Sequence, residues 1–414
     1  MKQPCRTTHL ATLILTALTA AYSATGAPLA AQEVIALPGA DRILEVEFEE
    51  VYRIGSFAGD EWETFGTIAG VAFDESGNLF VVDSQAGRIV VVGSDGGLLR
   101  EFGGIGDGPG EFGGENSSGI ELAVLAGGSS VAFDPDKRSF ALFGADGEFV
   151  RTTRMPGNAV YMIPGLQPER GGESVLATAA VNKFDMAAIR NREFPDEPAF
   201  RTIVRFGLDG EEVVEDTVAR VWKSPSDAGG FIPPLAVGAL PDGAVAYTDS
   251  SAYAIKVIAP DGNLLRVLTR PIPPEPVTDR IKEAEIQRQL ELLEGTNSFG
   301  ADRSGGRRGA MMAQMAQFRR ASIESMEFHD EIPVLSTLKT SWEGTIWARR
   351  RGEGVTLEGP LDLLAPEGRY LGTLRADTSA MPSAFGPDGL VAFVERDELD
   401  VPTVVVKRLP PALR

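Results

Sequence analysis

The sequence contains very little cysteine or histidine, and this scarcity limits the chemistry that the chain can perform. Among 414 residues there is one cysteine, Cys5, and there are two histidines, His9 and His329. Cys5 and His9 lie within the first ten residues, so the rest of the chain has no thiol and can form no disulfide. Zinc sites built on cysteines or on three histidines are excluded. A serine-hydrolase triad would have only His329 as its base, and no GxSxG motif is present.

Acidic residues outnumber basic residues in this chain. The chain has 39 lysines and arginines against 59 acidic residues, which gives a formal net charge of −20. An acidic protein repels phosphate backbones, so nucleic-acid binding is not expected. The charge is typical of a well-solvated surface, although it also favours cations or basic ligands. Beyond the N-terminus no stretch is long and apolar enough to predict a membrane span.

The first 31 residues have the pattern of a secretory signal peptide. Lys2 and Arg6 supply positive charge, Leu10–Tyr22 is apolar and short, and small residues follow it. The pattern predicts cleavage after Ala31, a secreted or periplasmic protein, and one folded domain over residues 32–414. An uncleaved anchor helix is the alternative.

Glycine and proline, by contrast, are abundant and separate short apolar runs. The clearest example is Ile68–Phe102, where four runs of β-branched and aromatic residues alternate with DESG, SQAG and SDGG. These turn sequences predict a four-stranded antiparallel meander. A single meander cannot bury both of its faces, so similar units are expected to pack against it.

Five more units follow the first one, and the third unit is predicted to begin with a strand over Val160–Leu166. The turn between the third and fourth strands carries a glycine that recurs about every 50 residues, apart from one longer gap. These glycines are Gly96, Gly147, Gly210, Gly262 and Gly368. The sixth unit ends one strand short, and the alternating segment Ile43–Ile54 is predicted to supply that strand. We therefore expect an all-β, six-bladed β-propeller of four-stranded antiparallel blades, closed by the N-terminal strand.

Two charged pairs recur in the first two units. Asp83 and Arg88 flank the turn between the second and third strands, and Asp134 and Arg138 occupy the same places in the next unit. Their recurrence favours a structural role over a polar site. We expect the carboxylates to accept hydrogen bonds from turn amides, with the arginines as partners.

An insert of about residues 271–333 interrupts the repeats between the fourth and fifth units. Helices are predicted over Asp279–Glu294 and from Ala310 to about Met326, with a mobile glycine-rich segment, Gly300–Gly309, between them. Five arginines and no acid fall in one part of this insert, which makes them candidate residues for binding an anionic ligand. They are Arg303, Arg307, Arg308, Arg319 and Arg320. The alternative is that the insert is solvated and pairs with the acidic body.

Three segments resemble NHL-type repeats, namely Ala69–Gly104, Ile105–Phe112 and, after the insert, Glu324–Arg351. They are most similar to the secreted bacterial six-bladed β-propeller proteins related to that group. The resemblance covers most of Ile43–Leu409 and implies a fold and a compartment more than a reaction. Some NHL propellers are lyases that hold zinc with several histidines, which this chain lacks. Lactonase-type propellers hold calcium in the central channel with Asp, Glu and Asn side chains.

These observations favour binding over catalysis. We expect recognition of a protein, peptide or glycan on one face of the ring, through the inter-blade loops and the insert. No catalytic or metal-ligating residue and no cofactor is evident. His329, next to Asp330, could act as a general base, but its position at the exit of the insert favours a loop residue. The alternative function is a calcium-dependent hydrolase or lactonase that uses carboxylates in the channel.

Overall fold

The computed structural model shows a six-bladed β-propeller, as predicted. It describes residues 33–113, 119–169, 172–191, 198–224, 229–300, 307–352, 356, 358–377 and 380–413. The predicted signal peptide, residues 1–31, lies outside these ranges and stays a prediction. Within them, no helix is both long enough and apolar enough to cross a membrane.

Each blade is a four-stranded antiparallel sheet whose strands follow one another from the channel outwards. Blade one contains Ile68–Phe73, Leu79–Asp83, Arg88–Val92 and Leu98–Gly103. Blades two and three contain Glu121–Val124, Ser130–Asp134, Ser139–Phe143 and Phe149–Arg154, then Leu166–Pro168, Ser174–Ala177, Phe200–Gly207 and Val214–Trp222. Blades four and five contain Ala236–Ala239, Val245–Thr248, Ala254–Ile258 and Leu264–Thr269, then Leu335–Thr340, Ile346–Arg350, Leu361–Leu364 and Tyr370–Leu374.

The sixth blade takes its outer strand from the N-terminal part of the chain. Its own strands are Ala384–Phe385, Leu390–Arg396 and Pro402–Arg408, and Glu49–Ile54 pairs antiparallel with the last of these. The predicted closure is therefore confirmed, although only the second half of Ile43–Ile54 forms the strand. Closure removes the open strand edge that the last blade would otherwise expose.

The residues before this closing strand run along the outside of the ring. Glu33–Ala36 pairs parallel with Leu264–Thr269 and adds a fifth strand to blade four. Ile43 then forms a bridge with Thr373 in the outer strand of blade five. The N-terminal segment thus contacts blades four, five and six in succession, a path that the sequence did not predict.

Apolar side chains fill the space between neighbouring blades. Strands such as Leu79–Asp83 and Ser130–Asp134 are buried at every residue, because they are covered by a blade on each side. Six buried clusters lie in the ring, one between each pair of neighbouring blades. One cluster joins the last blade to the first, where Ile54 and Val404 pack with Val81. The core is therefore distributed around the ring.

Blade three differs from its prediction. The sequence predicted an inner strand over Val160–Leu166, but the inner strand is Leu166–Pro168. Val160–Met162 pairs with Asn182–Phe184 in a separate two-stranded sheet. Pro164 has no backbone N–H to donate, and Gly165 adopts a φ of 122°, so the chain changes direction between the two short strands. A short helix, α1 (Met186–Asn191), follows in the loop.

The insert contains helices α2 (Asp279–Gly300) and α3 (Arg307–Glu324). Helix α2 continues beyond its predicted end, and α3 begins within the segment predicted to be mobile. Residues 301–306 of that segment lie outside the described ranges. Ile281 of α2 packs with Phe231 and Ile332, which attaches the insert to the propeller. At its base, Glu275–Pro276 pairs with Glu331–Ile332.

Candidate functional site

The inner strands of all six blades surround a central cavity of about 970 Å³. Its wall includes Ala69, Glu121, Gln167, Ala236, Lys339 and Ser383, one from each blade. Many wall positions are glycine or alanine, such as Gly70, Ala72 and Ala123, and these small residues leave the centre of the ring open. The volume is at the upper end of the range found for small-molecule sites.

Glu121 begins the inner strand of blade two and lies in the cavity wall. Among the described residues, its carboxyl group has no hydrogen-bond or ion-pair partner. Burial raises the pKa of the Glu121 carboxyl to about 7, because the half-buried carboxylate loses hydration that nothing in the protein replaces. Glu121 is therefore a group that can exchange a proton, or bind a cation, near neutral pH.

Lys339 lies on the inner strand of blade five, which is opposite blade two in a ring of six. Its Nζ donates hydrogen bonds to the carbonyl oxygens of Pro382, at 2.8 Å, and Ser383, at 3.1 Å. No carboxylate in the described part of the chain pairs with it. Burial lowers the pKa of Lys339 to about 8. An ammonium group has three donors, so one remains for a ligand.

Two other polar side chains of the wall, Gln167 and Glu169, are engaged within the protein. Gln167 of blade three donates a hydrogen bond to Oγ1 of Thr340, at 3.0 Å, and accepts one from the backbone N–H of Ala239, at 2.8 Å. These contacts tie the inner strands of blades three, four and five together. Glu169 forms a two-pronged ion pair with Arg205, with one contact of 2.8 Å. Glu121 and Lys339 therefore differ from these neighbours in being open to a ligand.

The acidic residues of the cavity wall are Glu75, Glu121 and Glu169. Glu169 is committed to Arg205, and Glu75 and Glu121 lie on different blades. Across the described ranges, no group of three or more His, Cys, Asp or Glu side chains is arranged to hold a metal ion. Calcium takes about six to eight oxygen ligands, so the donors described do not fit it. Calcium binding by the alternative enzyme stays a prediction.

The structure describes the side chains of two of the five predicted arginines. Arg319 and Arg320 are exposed on helix α3, and neither lines the cavity. Arg320 pairs with Glu294 of α2 and with Glu324, both at 3.1 Å. Arg303 and the side chains of Arg307 and Arg308 lie outside what is described. The role of the five arginines in binding an anion stays a prediction.

The recurring aspartates have the predicted structural role. Asp83 accepts a hydrogen bond from the backbone N–H of Ala86 in the turn, at 3.4 Å, and pairs with Arg88 at 3.4 Å. Asp134 accepts bonds from the turn N–H groups of Asp136, at 2.9 Å, and Lys137, at 3.1 Å. The predicted pairing of Asp134 with Arg138 is wrong, since the Arg138 guanidinium donates instead to backbone carbonyl groups such as that of Ala159.

His329 is a loop residue at the exit of the insert and does not line the cavity. Its Nδ1 lies 3.3 Å from the carbonyl oxygen of Glu331, and its ring lies edge-on to Trp222 with centroids 6.3 Å apart. Through these contacts, His329 packs between the insert and blade three.

Glu121 and Lys339 were missed by sequence reasoning. A weak signal was present, because the inner strands of blades one and four read AGVAF and AVGAL, whereas the corresponding runs of blades two and five are IELAV and STLKT. A charge in an otherwise apolar inner strand suggests a channel-facing group. The strand pattern alone could not tell whether that group faces the channel or the neighbouring blade.

No protein-family model and no curated protein matches the chain. Solved structures do match it. A catalytically inactive virginiamycin B lyase from Staphylococcus aureus, solved with quinupristin, is 12% identical over 84% of this chain and 82% of that one, with a TM-score of 0.41. A candidate exported protein from Bacteroides fragilis is 12% identical over 91% and 99%, with a TM-score of 0.47. A gluconolactonase from Xanthomonas campestris is 13% identical over 82% and 85%, with a TM-score of 0.39. Membership of the NHL-repeat group stays a prediction.

Proposed function

We propose that the protein is a secreted or periplasmic binding protein whose ligand, a segment of peptide or glycan, enters the central channel. One observation carries this proposal. A cavity of about 970 Å³ holds two charged groups, Glu121 and Lys339, for which the described residues provide no counterion. The predicted signal peptide supports the compartment.

The two charges are costly for the folded protein in the absence of a ligand. A buried charge without a counterion loses hydration, and the pKa of each group shifts in the direction that favours its neutral form. An apolar residue at either position would avoid this loss. Charged groups kept at such positions in a concave site are typical of binding or catalytic sites.

The cavity also limits the kind of ligand. Its wall is made by the inner strands themselves, so a ligand must enter the ring to reach Glu121 and Lys339. A folded protein cannot do so, whereas a chain end, a short peptide or an oligosaccharide can. Of the ligand classes expected from the sequence, peptides and glycans therefore fit this cavity.

Blocking the channel tests the proposal. Ala69 is exposed to the cavity, and Ala69→Trp would place a large side chain in it. Ala86 is also exposed, in a turn of the same blade, but does not line the cavity, so Ala86→Trp is the matched control. Native mass spectrometry with pools of tripeptides and of small oligosaccharides should detect binding to the wild type and to the control variant.

We expect Ala69→Trp to weaken that binding at least roughly tenfold, which corresponds to the loss of about 1.4 kcal/mol. The melting temperatures of both variants check that the fold is retained. Equal binding by the two variants would show that the ligand does not occupy the channel.

A further inference from the structure

We infer that the channel ligand is a short peptide with free ends, whose amino group binds Glu121 and whose carboxylate binds Lys339. This inference rests on the proposed channel function and specifies its ligand class. The two protein groups carry opposite charges, lie on opposite sides of the ring and do not pair with each other within the described structure. A ligand with a positive and a negative end can satisfy both.

The strand register places the two charges at a similar depth in the channel. We measure depth by the position of the paired residue in the second strand of the blade, counted from the turn that precedes that strand. Glu121 pairs with Phe133, the fourth residue of the second strand of blade two. Lys339 pairs with Trp347, only the second residue in blade five, but its ammonium group reaches the carbonyl oxygens of Pro382 and Ser383 in blade six.

The strand register of blade six gives the depth of these two carbonyl oxygens. Ala384 pairs with Ala392, the third residue of its second strand, and Ser383 is the residue before it. The ammonium group therefore lies near the depth of Glu121. A ligand that contacts both groups must span the width of the channel, so its two charges must be separated by intervening atoms. A short extended peptide separates its ends by about 3.3–3.6 Å per residue.

The backbone of the channel wall favours a peptide over other zwitterions. The inner strand of blade four is bridged to Ala179 and bonded to Gln167 on its channel edge. In the described structure, the inner strands of the other five blades pair with a neighbouring strand on one side only, so the other edge of each backbone faces the channel. Unpaired N–H and C=O groups at a strand edge bind an extended peptide by main-chain hydrogen bonds. Between the charged groups, the half-buried Leu166 offers apolar surface to the side chains of such a peptide. A neutral glycan would leave both charges without a partner.

Blocking the ends of the peptide tests the inference directly. The purified full-length chain would be dialysed against four tripeptide pools of equal composition, with free ends, acetylated N-termini, amidated C-termini or both ends blocked. Mass spectrometry would quantify what is retained. A charge-assisted hydrogen bond contributes about 1.5–3 kcal/mol, so we expect each blocked end to reduce retention roughly tenfold or more.

Two variants assign the ends. Glu121→Gln keeps the shape of the side chain and should remove the preference for a free amino end, while Lys339→Met keeps the aliphatic stem and should remove the preference for a free carboxylate. Each variant should leave the other preference unchanged. A merely structural role would lower retention of all four pools alike, and that result would contradict the inference.

Two outcomes separate this inference from the proposed function. If the doubly blocked pool or an oligosaccharide pool binds as well as the free-ended pool, and Ala69→Trp abolishes that binding, the ligand class is wrong and the channel function stands. If no pool is retained by the wild type, both are wrong.

Discussion

Arg270 and Asp362 form an ion pair in which neither side chain is exposed to solvent, with Nη1 of Arg270 2.8 Å from Oδ2 of Asp362. Arg270 follows the outer strand of blade four, and Asp362 lies in the third strand of blade five. Asp41 of the N-terminal segment joins this pair, at 2.9 Å from Arg270 and 2.6 Å from Arg350. The cluster therefore ties three parts of the chain together at one junction between blades.

Removing one member of the pair should destabilise the protein. We expect Arg270→Met to lower the free energy of unfolding by roughly 3–5 kcal/mol, because Asp362 would keep a buried charge with a weaker partner, Arg350 at 3.5 Å. Urea unfolding measures the change. The double variant Arg270→Met with Asp362→Leu should recover much of the loss, since it removes both charges. A single variant as stable as the wild type would contradict this view of the junction.

Replacing Glu121 should stabilise the protein at alkaline pH. The pKa of Glu121 in the folded state, about 7, is above its ordinary value of 4.5, so folding favours the protonated form. That contribution is present below pH 4.5 and is lost as the pH rises through 7. We expect Glu121→Gln to raise the free energy of unfolding above pH 7 by roughly 1–3 kcal/mol, with no gain at acid pH. Melting curves across this pH range test the sign of the change in stability, with Glu75→Gln, at an exposed residue, as control.

Lys339 should show the opposite dependence on pH. Its folded-state pKa of about 8 is below the ordinary 10.5, so the folded protein disfavours the charged form. The penalty is full below pH 8 and disappears above pH 10.5. We expect Lys339→Met to raise stability at neutral pH by roughly 1 kcal/mol, because the two lost hydrogen bonds offset part of the gain. Lys256→Met should instead lower it, since Lys256 pairs with buried Asp249 at 2.7 Å.

Metal analysis tests the alternative of a calcium-dependent hydrolase or lactonase. We expect the purified protein to carry no stoichiometric calcium, and its melting temperature to be the same with calcium and with a chelator, because the described donors do not fit the ion. Bound calcium with a clear upward shift would favour the enzyme, because a ligand that binds only the folded state stabilises it.

The insert arginines need a separate test. If Arg319 and Arg320 help to bind an anionic ligand, Arg319→Ala with Arg320→Ala should weaken retention of an aspartate-rich tripeptide pool at low salt and leave a neutral pool unaffected. Arg280→Ala, an exposed arginine on helix α2, is the matched control. Unchanged retention would leave the pairing of Arg320 with Glu294 and Glu324 as its only role in the described structure.

The limits of sequence reasoning appear in blades three and five. An aspartate ends the second strand in blades one and two and directly follows it in blade four. In blade five that strand ends at Arg350, whose acidic partner Asp41 comes from the N-terminal segment. No local pattern pairs residues so far apart.

In blade three the strand boundary was misplaced because Val160–Met162 has enough apolar character for a strand yet pairs outside the blade.

The sequence by itself determined the blades and their number. Alternating apolar runs and glycine turns act over a few residues, and a last unit that is one strand short requires Glu49–Ile54 to close the ring. Only the tertiary structure decided where function is to be sought. Whether Glu121 and Lys339 face a shared channel depends on strand register and on ring closure, which are set by contacts between distant blades. Among the described residues neither group has a counterion, which is a property of that enclosed space that no single strand could reveal.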